Sequence, residues 1–359
     1  MAADVPRPID RRARTRLFWL SGALTGVAAI YLCLPRSWFE VSEKPVSPVP
    51  AAVTAPAAPA SLDVMRSAAA KAPLDFTARS RYGMALSAAQ RNAEALAEFR
   101  AAASLAPESP AVHHNLGVFY LNNGRPAEAD TEFCRELEII PGIGSVHYFR
   151  GLALQAEHKN TEAAAQFRLA IDLAPDVPEP YLALAAQRGD KQPIDQTRSL
   201  VQNYLRLGGS QNVANFVLSR ACRAQQLYVE AAQYAELTVK ESPNSYAYWH
   251  NLGQIYSYAR RFQDADRALL RALGLAHDKS TVYIELGMNA QNAGRLADAI
   301  AAFKNALESN PGTGNVHIYL ARAYQRQGDQ ESAKREEAAF RRWNREHGSG
   351  RRGAHTTTK

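Results

Sequence analysis

The 359-residue chain holds little that chemistry could use: three cysteines, four methionines and four tryptophans, with charged residues making up only 21%. It has no Gly-rich phosphate loop, no G-x-S-x-G elbow, no H-E-x-x-H pair and no C-x-x-C. These absences remove the common routes to phosphoryl transfer, acyl transfer and zinc hydrolysis, and no catalytic residue, cofactor or metal is expected. The cysteines fall at Cys33, Cys134 and Cys222, too far apart in the chain's organisation to read as a disulfide framework, and they leave the redox compartment open. A continuous stripe of one charge sign is missing too. The net charge of +7 belongs to the ends: residues 1–16 hold five Arg against two Asp, and residues 341–359 hold five Arg and one Lys against one Glu. The middle is near neutral, so no nucleic-acid partner is expected.

One long hydrophobic run is present. Arg11, Arg12, Arg14 and Arg16 precede Leu17 to Leu34, eighteen residues without a charge, which is just long enough to span a bilayer as a helix. Trp19 and Tyr31 stand near its ends, where amphipathic rings favour the interface. The run closes on Tyr31-Leu32-Cys33-Leu34-Pro35, without small residues at a cleavage site, which favours an uncleaved signal anchor over a cleaved signal peptide. The excess of Arg before it places residues 1–16 in the cytoplasm as a basic tail and the rest of the chain across the membrane. Residues 35–60, with Pro45, Pro48, Pro50, Pro56 and Pro59, form a Pro/Ala-rich linker with a reach of up to about 80 Å.

The remainder is periodic. Trp249, Leu252, Gly253 and Tyr256 fall within a narrow arc of a helix, and Ala265, Leu269 and Ala272 mark a second helix with small facing residues. Steps of a constant length from Gly253 land on Gly83, Gly117, Gly151, Ala185, Ser219, Gly287 and Ala321, all small. The same steps from Ala265 land on Ala95, Ala129, Ala163, Thr197, Ala231, Ala299 and Ala333. The turns fall at Pro107, Pro141, Pro175, Gly209, Pro243, His277 and Pro311. Small residues let backbones approach, and Pro stops a helix because it has no N–H to donate.

The pattern W-x2-L-G-x2-Y followed by a small-residue helix resembles the tetratricopeptide repeat, or TPR, with its period of about 34 residues. Eight repeats begin at Phe76, Pro110, Gly144, Pro178, Asn212, Tyr246, Ser280 and Gly314, about three quarters of the chain. The resemblance implies an all-α TPR solenoid of about eight helix pairs in a right-handed superhelix, over residues 76–347. Residues 61–75 read as a capping helix, and residues 348–359 as a disordered basic tail. Repeat four is the least regular, with Thr197, Val201 and Tyr204 where its neighbours hold Ala, Phe and Ala. A drifted repeat that still stacks is favoured over a hinge. His113, His147 and His317 occupy the column of Trp249 and read as packing residues with one polar edge rather than metal ligands.

A repeat array without a catalytic stretch places function in a surface. Within each first helix, four positions of the repeat point to the core and the opposite ones lie away from it. The TPR resemblance implies that this opposite side lines a concave groove that holds peptides or helices of protein partners. Candidate groove residues are Asn115, Tyr148, Phe149, Leu152, Phe216, Val217, Arg220, Arg223, His250, Asn251, Arg322 and Arg326. The apolar middle is either an interaction site or partly covered by the odd packing of repeat four. Some TPR proteins clamp chaperone C-termini with Lys, Asn and Arg at set positions. Here those positions hold Ser80, Met84, Asn115, Ser145 and Phe149, or Phe216, Arg220, Asn251, Thr281 and Glu285, so only the Asn is kept and that role is disfavoured. The expected function is a membrane-anchored, non-catalytic scaffold or adaptor in the bacterial inner membrane, with its repeats in the periplasm. The alternative is an accessory subunit that presents substrates to an envelope export, secretion or cytochrome-maturation enzyme.

Overall fold

A computed structural model of the chain describes residues 62–187 and 193–347. The basic tail at 1–16, the anchor at 17–34, the linker at 35–60 and the tail at 348–359 lie outside the described residues. Within them there are seventeen helices and no strand, and none of these helices is long and apolar enough to cross a membrane.

The helices divide between two compact units that meet in sequence at Pro180 and Tyr181. The first unit holds α1 (Leu62–Lys71), α2 (Phe76–Ala88), α3 (Asn92–Leu105), α4 (Pro110–Asn122), α5 (Pro126–Ile139), α6 (Gly144–Ala156) and α7 (Asn160–Leu173). Helix α8 (Glu179–Ala186) begins at its end. The second unit continues with α9 (Ile194–Arg206), α10 (Gln211–Ala224), α11 (Tyr228–Glu241), α12 (Tyr246–Tyr258), α13 (Phe262–Leu275), α14 (Lys279–Asn292), α15 (Leu296–Ser309), α16 (Val316–Gln327) and α17 (Gln330–His347). In both units each long first helix packs on its own second helix, and successive first helices also touch.

The small-residue columns follow from ring packing. A Cβ on Gly117 would stand 2.7 Å from the Phe133 ring, and one on Gly253 would stand 2.7 Å from Leu269. Gly83 faces Phe99, Gly151 faces Phe167 and Gly287 faces Phe303 in the same way. Where the second helix carries a smaller side chain, the glycine is no longer required: Ser219 replaces it in the repeat that has Ala235, and Ala185 in the repeat that has Val201. Phe133, Phe167, Phe303 and Leu269 are fully buried, so each pair forms the centre of its repeat.

The turn inside each repeat has a fixed backbone form. Gln90, Gly124, His158, Gln226, Arg260, Gly294 and Gly328 occupy one register position and all have positive φ, from 58° at Arg260 to 93° at Gly328. The next residue then donates its N–H back over the end of the first helix, as Arg125 N does to Tyr120 O at 2.9 Å and Leu227 N to Cys222 O at 2.8 Å. This is the left-handed helix stop that satisfies carbonyls left over at a helix C-terminus. Four of the seven residues are not glycine, which is why the turn escapes a reading of sequence alone.

The histidine column fastens the helix pairs. His113 Nδ1 lies 2.7 Å from Glu132 Oε2 and its Nε2 lies 2.7 Å from Pro107 O, while Arg79 in the same column donates to Glu98 and to Pro73 O. His147 meets Gln166 at 2.7 Å and His317 meets Glu336 at 2.7 Å, in each case linking the first helix to the second. Trp249 uses its indole N–H on Pro243 O at 2.7 Å. These side chains bond within their repeat or to the turn that precedes it, and among the described residues no cluster has the makings of a metal site.

Repeat four departs further from its neighbours than its columns indicate. Its first helix, α8, has eight residues against thirteen in α2. Pro180 stands near its start and Gly189 and Pro193 follow it in sequence, residues that a helix interior disfavours. Pro193 then caps the start of α9. Among the free cysteines, Cys134 belongs to the first unit and Cys222 to the second. Burial pushes the Cys222 thiol up to about 11.

Candidate interaction faces

Successive first helices in each unit lay out a face made of the residues that point away from the repeat centres. In the first unit this face is built from α2, α4 and α6. Tyr148 and Phe149 are half-buried there, with ring centroids 5.5 Å apart, and Phe149 stacks on the core ring of Phe133 at 5.9 Å. His114 meets the Phe149 ring edge-on at 5.2 Å. These rings run from the core to the surface, so the face has a rigid aromatic base. Leu152 lies beneath it, only 4% exposed. Asn115 is half-buried, and Arg81, Met84 and Asn122 are exposed on the same run of helices.

In the second unit the face is polar and more heavily bonded. Asn251 is buried and donates to Ser219 Oγ at 2.8 Å, which ties α12 to α10. Gln254 accepts from Arg223 of α10 and donates to Glu285 of α14 at 2.6 Å. His250 Nε2 stands 2.8 Å from Glu285 Oε2, close enough to pair but out of hydrogen-bond alignment, and its ring stacks on Tyr246 at 5.2 Å. Three first helices are thereby laced together by side chains of repeats five, six and seven. Arg322 and Arg326 are both exposed on α16, and Arg326 donates to Gln291 O at 3.1 Å.

Phe216 and Val217 lie deeper than an open groove would place them, at 6% and 8% exposure. Phe216 packs against Tyr248 at 5.1 Å within the core of the second unit, and the Arg220 guanidinium lies 5.7 Å from its ring centroid. A first-helix position that faces away from its own repeat still meets the first helix of the next one, and that contact, through Tyr248, covers Phe216. An aromatic patch appears instead at the end of α12, where the 60%-exposed Tyr258 stacks on Tyr228 at 6.1 Å and lies under Arg223.

Charge is segregated on these faces. Arg81, Arg220, Arg223, Arg322 and Arg326 belong to them, and Glu285 is the one acidic residue of α2, α4, α6, α10, α12, α14 and α16, already engaged by Gln254 and His250, while α8 carries Glu179. The second helices carry most of the acids, many paired locally. Asp264, for example, is held below the usual carboxylate range first by Arg267 and then by Arg261.

Residues 86–133 and 291–344 match a family model described as tetratricopeptide repeat, and residues 248–283 match a second model with the same description. No curated protein matches the chain. Among solved structures, the chain is similar to a chain in the crystal structure of the APC/C hetero-tetramer Cut9–Hcn1, with a TM-score of 0.55 and 19% identity. That match covers 73% of this chain and 52% of the other, so this chain spans about half of its length. It is also similar to a tetratricopeptide repeat protein from Parabacteroides merdae, with a TM-score of 0.58 and 13% identity over 69% of this chain and 98% of that one. The described fold is therefore an all-helical tetratricopeptide solenoid.

Proposed function

We propose that the protein is a non-catalytic adaptor whose first-helix faces hold segments of partner proteins, and that residues 17–34 anchor it in a bacterial inner membrane with the repeats on the periplasmic side. The observation that carries the binding reading is the charge of those faces, five arginines against one engaged glutamate. A partner segment that combines apolar side chains with acidic ones complements the rings and Arg81 of the first unit, and a segment rich in acidic side chains complements the arginines of the second. Arginine at such a surface adds selectivity and on-rate more than affinity. The anchor reading is supported by the eighteen uncharged residues that follow a cluster of Arg.

A photo-reactive residue placed at Tyr148 or at Arg322, in the full chain in its membrane, tests the binding reading. It should cross-link to a defined partner, and a peptide copied from the trapped segment should compete with it. The same residue placed at Leu237, exposed on a second helix, should trap little. Equal trapping at all three positions would end the assignment. A C-terminal alkaline phosphatase fusion tests the topology, and an inactive fusion beside an active cytoplasmic reporter would reverse it.

A further inference from the structure

The column that holds Ala102, Ala170, Ala272 and Ala306, each 0% exposed, holds Glu136 in repeat two. This carboxylate is also fully buried, at 0%. Packing in those four repeats takes a small apolar side chain, repeats four, five and eight hold Tyr204, Thr238 and Phe340 in the same column, and a carboxylate taken out of water is costly unless it is well bonded. Glu136 is not well bonded: its Oε1 meets no partner, and Oε2 makes one contact, 3.0 Å to His114 Nδ1. No other repeat places an acid in this column. Its one bonding partner is a side chain on the first-helix face.

His114 is 26% exposed there, edge-on to Phe149 and to Phe133. With Nδ1–H donated to Glu136, Nε2 is the ring nitrogen left to meet a ligand, and it donates only when the ring is an imidazolium. A carboxylate behind an imidazole fixes the ring's orientation and sets which nitrogen is presented. Apart from Glu136 behind the ring, α2, α4 and α6 carry no acid, and the face of the first unit adds Arg81, Asn115, Asn122 and Gln155 to its Ser and Thr hydroxyls. An anionic group is the complement of that set.

We propose that His114 binds the partner segment as an imidazolium, its Nδ1–H held by the buried Glu136 and its Nε2–H donated to a carboxylate of that segment, with the neighbouring apolar side chain lying on Tyr148 and Phe149. This rests on the adaptor reading and specifies the partner for the first unit, an acidic residue next to an aromatic or aliphatic one. His114 is a binding residue, and Glu136 is a positioning residue that acts through it.

The test uses the full chain in detergent, with 15N-labelled histidine, and two probes: N-acetyl-glutamyl-phenylalanine amide and its glutaminyl twin. His114→Gln assigns the ring signals. The glutamyl probe should shift the His114 ring nitrogens and bind about tenfold more tightly than the glutaminyl twin, the scale of one charge-assisted hydrogen bond. Glu136→Met should fold, since the same column holds uncharged side chains from Ala to Phe340 in every other repeat. It should change the His114 nitrogen signature in the free protein and abolish the preference for the glutamyl probe, while Glu136→Gln, which still accepts from Nδ1, should recover part of it. Equal binding of the two probes would overturn the carboxylate assignment and leave the adaptor reading in place. A His114 signal that neither probe moves would overturn it as well, and the cross-linking experiment then decides the adaptor reading separately.

Discussion

Phe133 presses its ring so closely on Gly117 that a Cβ there would stand 2.7 Å from the nearest ring carbon. The first helix of repeat two is held to the second by that contact, in the middle of a fully buried cluster. Gly117→Ala should therefore destabilise the first unit by about 1–3 kcal/mol, as overpacking of a well-filled core does. Phe133→Val in the same chain should leave a combined loss smaller than the sum of the two single losses, because repeat four pairs Val201 with Ala185. Thermal melts of the single and double variants check this, and an additive result would contradict the direct contact.

The left-handed turn gives a prediction of opposite sign. Gln226 and Arg260 hold φ of 61° and 58° without being glycine, a conformation that costs a residue with a Cβ about 1–2 kcal/mol. Gln226→Gly and Arg260→Gly should each raise stability by about 0.5–1 kcal/mol, after the loss of unfolded-state restriction is subtracted. Arg260→Gly also leaves the Arg261 to Asp264 pair intact. Denaturant midpoints that fall instead of rising would refute the strain.

How much of this was legible in sequence differs from residue to residue. The columns through Gly117 and Ala129 announced close helix packing, because small side chains recurring at a fixed period leave room for a neighbouring backbone at the same place in every repeat. The turn did not, since Gln90, His158, Gln226 and Arg260 carry no glycine signal and adopt φ > 0 only because the helices on either side dictate it. The histidine column was readable as packing, but its acceptors on the second helix and on the turn carbonyls needed coordinates. Helical angle placed Phe216 on an open face. Angle describes one helix, and burial of Phe216 comes from the adjacent repeat through Tyr248.

Glu136 should limit stability while it serves recognition. Replacing a buried, half-satisfied carboxylate with an apolar side chain of similar volume is often stabilising, here by about 1–3 kcal/mol. Glu136→Met is expected to raise the melting temperature of the first unit. A fall in that temperature would mean that the His114 bond outweighs the cost of burial.

Thiol chemistry provides a pH test. Burial raises the Cys222 thiol to about 11 and also raises Cys134 above its ordinary value. The thiolate is the reactive form, so Cys222 should resist alkylation at neutral pH and react faster as pH climbs toward that value, provided the fold persists. Cys134, which is partly exposed, should be labelled first. Mass mapping of iodoacetamide adducts over a pH series reads both. Rapid labelling of Cys222 at neutral pH in folded protein would show that the second unit opens there.

The two ends of the second unit's face should respond differently to truncation. Phe216 is part of the core, 6% exposed and packed on Tyr248, so Phe216→Ala should cost about 3–5 kcal/mol of stability. In the fraction that stays folded it should change partner binding little. Arg322 is exposed on α16, so Arg322→Ala should leave the melt within about 0.5 kcal/mol and slow association with an acidic segment, mainly at low salt where its charge is felt over a longer distance. The pair of measurements, a melt beside a binding titration at two ionic strengths, separates a side chain that supports the face from one that meets the partner. If Phe216→Ala weakened binding without lowering the melting temperature, the ring would be an anchor in contact with the partner and the placement of the face would have to move toward α10.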